Sequence, residues 1–206
     1  MSDANRRELR SYWQALPGAL RLPCMVATRP NYTLDDYVRV EEDSGVRHEF
    51  VGGLILAMAG GSVEHGRLAV NVTSLLRAAV KGTPCIALGS DVRVGHEASD
   101  FRAYPDASVV CGEPRYAGRP AHTVTNPVCI VEVLSESTAA YDQGEKLACY
   151  RSMASVRVIL FVSQETRSVT VHRRAELSFA EEHYGAGDTV PLPELSASLE
   201  VDDVYA

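Results

Sequence analysis

Val128-Cys129-Ile130-Val131-Glu132-Val133-Leu134 is apolar on both faces except for one carboxylate at its centre. A strand with one wet face alternates apolar and polar residues. A strand that is apolar throughout is covered on both sides, so this stretch reads as the central strand of a sheet held between two layers. Glu132 is out of place there. An unpaired carboxylate in such a setting costs several kcal/mol, so it must be protonated, paired or bound to a cation.

The flanking sequence supplies partners for it. Upstream, Tyr104-Pro105-Asp106 opens a second apolar run, Ala107 to Cys111. Downstream, Asp142, Lys146 and Tyr150 follow at helical spacing and share one helix face. Two acids at neighbouring strand positions, with a lysine from the next helix, make a candidate site for a metal ion and a water.

Further out, the patterns fall into short elements. Thr33 with Asp36 has the spacing of a helix cap, and Leu34, Tyr37 and Val38 give an apolar stripe, so a short helix runs to about Glu42. His48 to Val51 and Leu54 to Met58 are two strands joined at Gly52-Gly53. Ser62 caps the strongest helix, with Leu68, Val72, Leu75, Leu76 and Ala79 on one face. Strands are expected over Cys85 to Val94 and Ala103 to Cys111, then a polar loop from Gly112 to Asn126. Asp142 and Glu145 are spaced as a helix cap and its partner, for a helix to about Met153. Val156 to Val162 is a near-continuous apolar run, Ser168 to His172 alternates, and beyond Arg174 the glycines and prolines indicate hairpins and a tail.

Composition narrows the classes. The chain of 206 residues has 46% hydrophobic and 23% charged residues, ordinary globular usage, and no apolar run is long enough to span a bilayer. Residues 1–30 form an N-terminal arm, with 31–206 as one domain. The polar start lacks a secretory signal, which places the protein in the cytoplasm. Cys24, Cys85, Cys111, Cys129 and Cys149 are odd in number and contain no C-x-x-C pair, so they read as reduced thiols and not as a zinc site. The net charge of −7 argues against a broad basic face, so any grip on nucleic acid is local. Phosphate-loop, dinucleotide, zinc-protease and nucleophile-elbow motifs are absent.

Each candidate residue also has a plainer reading. Asp106 can cap a turn after Pro105, and Glu132 can be one half of a buried ion pair with an arginine. Lys146 can be the surface partner of Asp142, a pair contributing ~0.3–0.5 kcal/mol. Glu49 and Asp91 can be the wet halves of strands, and His65 a first-turn surface residue. As a group they suggest more: hard cations take converging oxygen ligands, and perturbed buried acids concentrate at functional sites.

The linked set resembles the Uma family, described as putative restriction endonucleases, a branch of the PD-(D/E)XK nuclease superfamily. The set comprises an acid before Gly52-Gly53, Gly60-Gly61-Ser62 leading to His65, Tyr104-Pro105-Asp106, Ile130 to Ser135, Thr138, and Asp142, Lys146, Tyr150. The resemblance covers about 32–173. It implies an α/β fold, a restriction-endonuclease-like core with a central mixed sheet flanked by helices and additional hairpins. It also implies metal-dependent hydrolysis of DNA phosphodiesters, with Mg²⁺ or Mn²⁺ held by Asp106 and Glu132, and Glu49 as a further ligand. The superfamily places a lysine two residues after the second acid, where this chain has Leu134; the resemblance suggests that Lys146 replaces it and assists the attacking water. His65, Asp91, Ser135, Asp142 and Tyr150 are supporting candidates. A homodimer is expected by analogy, and replacing Lys146 is expected to spare the fold. The alternatives are a non-catalytic nucleic-acid or protein interaction module on this fold, and a hydrolase of a small phosphorylated molecule.

Overall fold

The computed structural model describes residues 31–58, 60–96, 100–135, 139–176 and 178–206; the expected arm and Thr138 lie outside them. Helix α1 (Leu34–Asp43) starts with a full capping box, Thr33 and Asp36 exchanging side-chain-to-backbone hydrogen bonds. Strands β1 (His48–Val51) and β2 (Leu54–Ala57) form the expected hairpin. Its turn needs positive φ at both central residues, and Gly52 and Gly53 supply 57° and 79°. Helix α2 (Val63–Ala79) is capped by Ser62 and buries Leu68, Val72 and Leu76.

Strands β3 (Cys85–Gly89), β4 (Val94–Gly95), β5 (Phe101–Ala103), β6 (Ala107–Cys111) and β7 (Cys129–Leu134) follow. Next comes a broken helix, α3, assembled from Ala139–Tyr141, a widened turn Asp142–Lys146 and Leu147–Ser152. The chain ends with β8 (Val158–Ser163), β9 (Ser168–Arg174), β10 (Phe179–Gly185), β11 (Thr189–Leu192), β12 (Ala197–Glu200) and α4 (Val201–Val204).

The main sheet has the order β10-β9-β8-β7-β6-β3, with only β7 and β8 parallel, as a strand–helix–strand crossover through α3 requires. A second sheet, β2-β1-β5-β4, lies apart from it in hydrogen bonding. The sequence reading of β7 as covered on both faces holds. Cys129, Val131 and Val133 pack into the core formed with α2, α4 and the β11–β12 hairpin. Ile130 packs into the core formed with α3 and the second sheet, through Leu147, Tyr150, Met153, Val51 and Phe101.

Four local expectations are corrected. The run from Cys85 to Val94 is not one strand: β3 stops at Gly89, and β4 joins the other sheet. The run from Ala103 to Cys111 divides at Tyr104-Pro105-Asp106, where Pro105 has no N–H to continue a ladder, and the chain crosses from the second sheet into the main one. Asp142 does not cap a helix start; the helix is already under way at Ala139, and Asp142 is buried. The cysteines are not all thiols, because Cys85 and Cys111 form a disulfide with Cα atoms 3.9 Å apart. Gly112 N–H donates to Pro84 O, which makes Cys85 and Cys111 a non-hydrogen-bonded cross-strand pair, the position where facing side chains come closest.

Candidate active site

Four elements bring acids together where the two sheets meet. The register that sets Ala107 opposite Val131 puts Asp106 beside Glu132 on adjacent strands. Glu49 comes from β1 in the second sheet, and α3 closes over them with Tyr141, Asp142, Lys146 and Tyr150. Tyr150 apart, they border a cleft of about 830 Å³, together with Leu56, Ala57 and Met58 of the hairpin and Gly60, Gly61, Ser62 and His65 at the start of α2.

Lys146 is the hub. Its Nζ lies 2.8 Å from Glu132 Oε1, 2.9 Å from Glu49 Oε1 and 3.5 Å from Asp142 Oδ1, and its side chain is only 5% exposed. The surface-pair reading of Asp142 and Lys146 therefore fails, as both are buried. The widened turn of α3 carries them, with Gly144 at φ −100°, ψ −105°, a non-helical conformation at a residue with no Cβ. Leu134, at the position where the superfamily has its lysine, packs beside the α3 core.

Hydrogen bonds fix the acids further. Tyr150 OH donates to Glu132 Oε1 at 2.6 Å. Tyr104 N–H donates to Glu49 Oε1 at 3.0 Å, and Tyr141 OH to Glu49 Oε2 at 3.2 Å. Asp106 is held from two sides, by Val133 N–H at 2.7 Å and by His65 Nε2 at 2.8 Å. Ser135 lines the cleft; Asp91 does not, being exposed and paired with Arg47.

Among the described residues that the ion pairs join here, the acids outnumber the cations: Glu49, Asp106, Glu132 and Asp142 lie against the Lys146 ammonium and the His65 imidazole. Burial pushes the Glu132 carboxyl well above the usual range, and Asp106, Asp142 and Glu49 push it further, against Lys146. Burial alone would lower Lys146, but Glu132, Glu49 and Asp142 outweigh it and hold the ammonium in its charged form. The hydrogen bond to Asp106 raises His65, against its burial.

Sequence reasoning missed Gln164, Tyr141 and the amide of Tyr104. Gln164 links Ser62, His65 and the Leu134 carbonyl. Its signal was its place just past the apolar run of β8, because ligands collect beyond the carboxyl ends of parallel strands. Among the described residues no three His, Cys, Asp or Glu side chains already converge as a cation site. Nor is any described helix long and apolar enough to cross a membrane.

A mixed sheet flanked by helices, with this cleft at its edge, defines a nuclease-like α/β fold. The crystal structure of a "putative nuclease belonging to DUF820" from Anabaena variabilis shares it, with a TM-score of 0.68 over 84% of this chain and 97% of that one, at 18% identity. Residues 34–202 match the Uma2 family, described as "Putative restriction endonuclease", and the chain belongs to that family. Two relatives come from Synechocystis. Uncharacterized protein sll1609 is 34% identical over 68% of this chain and 79% of its own. Uncharacterized protein slr1290 is 30% identical over 85% and 92%.

Proposed function

We propose that the protein is a divalent-cation-dependent nuclease that hydrolyses phosphodiester bonds in DNA. The observation that carries this reading is the group of buried acids around Lys146, which outnumber the cations paired with them among the described residues. Buried carboxylates in excess of their cations are costly, and a hard divalent ion with oxygen ligands is the chemistry that relieves them.

The donor set fits Mg²⁺ or Mn²⁺, with Asp106 and Glu132 as the residues that would hold it. When bound, the ion supplies Lewis acidity toward the phosphate and toward the attacking water. The chain's residues do the positioning. Val133 N–H and His65 aim Asp106, and Tyr150 orients Glu132. Glu49 engages Lys146, Tyr104 and Tyr141, which ties the lysine to the acids, and it is the further candidate ligand for the cation. Lys146 extends its ammonium into the cleft wall, where it donates hydrogen bonds to a phosphate oxygen or a water and offsets developing negative charge. Cutting both strands of a duplex needs two such sites, and a two-fold dimer provides them.

The test is cleavage of plasmid, duplex and single-stranded DNA with Mg²⁺ or Mn²⁺. Cleavage is expected to require the ion and to disappear in Asp106→Asn, Glu132→Gln and Lys146→Met. Wild-type protein inert on every DNA with either ion overturns the reading. The net charge of −7 favours a second one, a small phosphorylated substrate; hydrolysis of a soluble phosphodiester without DNA cleavage would select it.

A further inference from the structure

Gln164 sits between the end of β8, the end of β7 and the start of α2, and its partners leave its amide only one orientation. The Leu134 carbonyl can only accept, so the atom 3.1 Å from it is the amide nitrogen. The oxygen then faces Ser62 Oγ, which donates to it at 2.9 Å. That donation uses the single Ser62 proton, and a lone pair of the same oxygen accepts the His65 N–H at 3.0 Å as the cap of α2. The Gln164 nitrogen also lies 3.2 Å from His65 Nδ1 and offers a proton to it. In the neutral ring Nδ1 must therefore be the acceptor, and the proton belongs to Nε2, which lies 2.8 Å from Asp106 Oδ1. Each donor and acceptor in this chain follows from one backbone carbonyl that cannot donate.

We infer that Gln164 is a positioning residue: it fixes the tautomer and angle of the His65 ring and, through that ring, the aim of Asp106. A ring held at one nitrogen presents the other in a set direction; removing the direct partner of a metal ligand typically costs 10-fold or more in metal affinity, and Gln164 acts one step behind that partner. The effect on Asp106 rests on the nuclease reading above; the effect on the ring does not.

Two variants test it. Gln164→Met keeps the length of the side chain and removes every polar atom. Gln164→Glu keeps the shape and turns the donor facing Nδ1 into an acceptor. The first readout is long-range ¹H–¹⁵N correlation of the His65 ring, at a pH above the histidine range so that the ring is neutral. Wild type should show the Nε2–H tautomer alone, Gln164→Met a mixture and Gln164→Glu a shift toward Nδ1–H. An unchanged tautomer in both variants overturns the proposal.

The second readout is calorimetric Mn²⁺ binding, expected to weaken in Gln164→Met by up to about 10-fold, the lower bound for loss of a direct partner, while the melting temperature stays near that of wild type. Unchanged affinity beside a changed tautomer overturns the claim on Asp106. Wild-type protein that binds no Mn²⁺ counts against the nuclease reading, and the tautomer readout then still decides the role of Gln164.

Discussion

Two buried polar clusters meet at Tyr104, and among the described residues only one of them is matched in charge. On the outer side Arg93 and Glu41 form a matched pair at 3.1 Å, with side chains 12% and 11% exposed. Arg93 also donates to Thr123 Oγ1, Tyr104 OH and Ala121 O, while Glu41 accepts from Tyr104 OH and His48 N–H. On the cleft side the Tyr104 amide donates to Glu49, which shares one ammonium with Glu132 and Asp142. Burial is similar in the two clusters; the charge balance is not. A buried ion pair that satisfies itself holds α1 against the second sheet, whereas a cluster with acids to spare has a use for something from outside.

The largest expected effects come from breaking each cluster. Arg93→Met and Lys146→Met should each cost about 3–5 kcal/mol, since each strands buried carboxylate charge. Chemical denaturation with and without Mn²⁺ separates the two: the ion should restore part of the loss in Lys146→Met and none in Arg93→Met. Equal behaviour of both variants in Mn²⁺ would erase the distinction. The expectation that Lys146 is dispensable for folding is thereby reversed, because the lysine lies among three acids and not on a helix surface.

A smaller effect of opposite sign is expected on relieving the surplus. Glu132→Gln should raise cation-free stability by about 1 kcal/mol, while Glu41→Gln should lower it. A fall in Glu132→Gln would show that the cleft is as well matched as its neighbour. The pH dependence follows from the same imbalance. Glu132 has a folded pKa above its unfolded value, so it binds a proton more readily in the folded state. Its contribution is fully present below the unfolded glutamate pKa of about 4.3 and is lost as pH rises through the folded value. Thermal melts in chelator should show that decline in wild type and a flatter profile in Glu132→Gln. The smallest effect belongs to Asp91, exposed outside both clusters: Asp91→Ala should change stability by under about 0.5 kcal/mol and leave cleavage intact.

What could be read in advance follows from the range of the forces involved. The double-sided burial of β7, the hairpin at Gly52-Gly53 and the cap of α2 are local patterns, visible within a few residues of sequence. Asp106, Glu132 and Lys146 could be grouped because their motifs flank one strand. Features set by register between distant strands could not. Cys85 and Cys111 are 26 residues apart and meet only because β3 and β6 pair as they do. The Tyr104-Pro105-Asp106 stretch reads as a strand opening, but it is the bridge between two sheets, and nothing local distinguishes a strand that continues from one that changes partners. Gln164 escaped the sequence reading because its three partners come from two other stretches of chain, the start of α2 and the end of β7.

The position of Lys146 has a mechanical consequence. Its ammonium joins Glu49 on β1 to Glu132 on β7, and the strands that carry these acids belong to sheets with no hydrogen-bonded ladder between them. The side chain is therefore a rivet through the seam as well as a charge beside the cleft. Neutralising the lysine therefore removes a tie between the β1–β2 hairpin and the main sheet, and not only a positive charge.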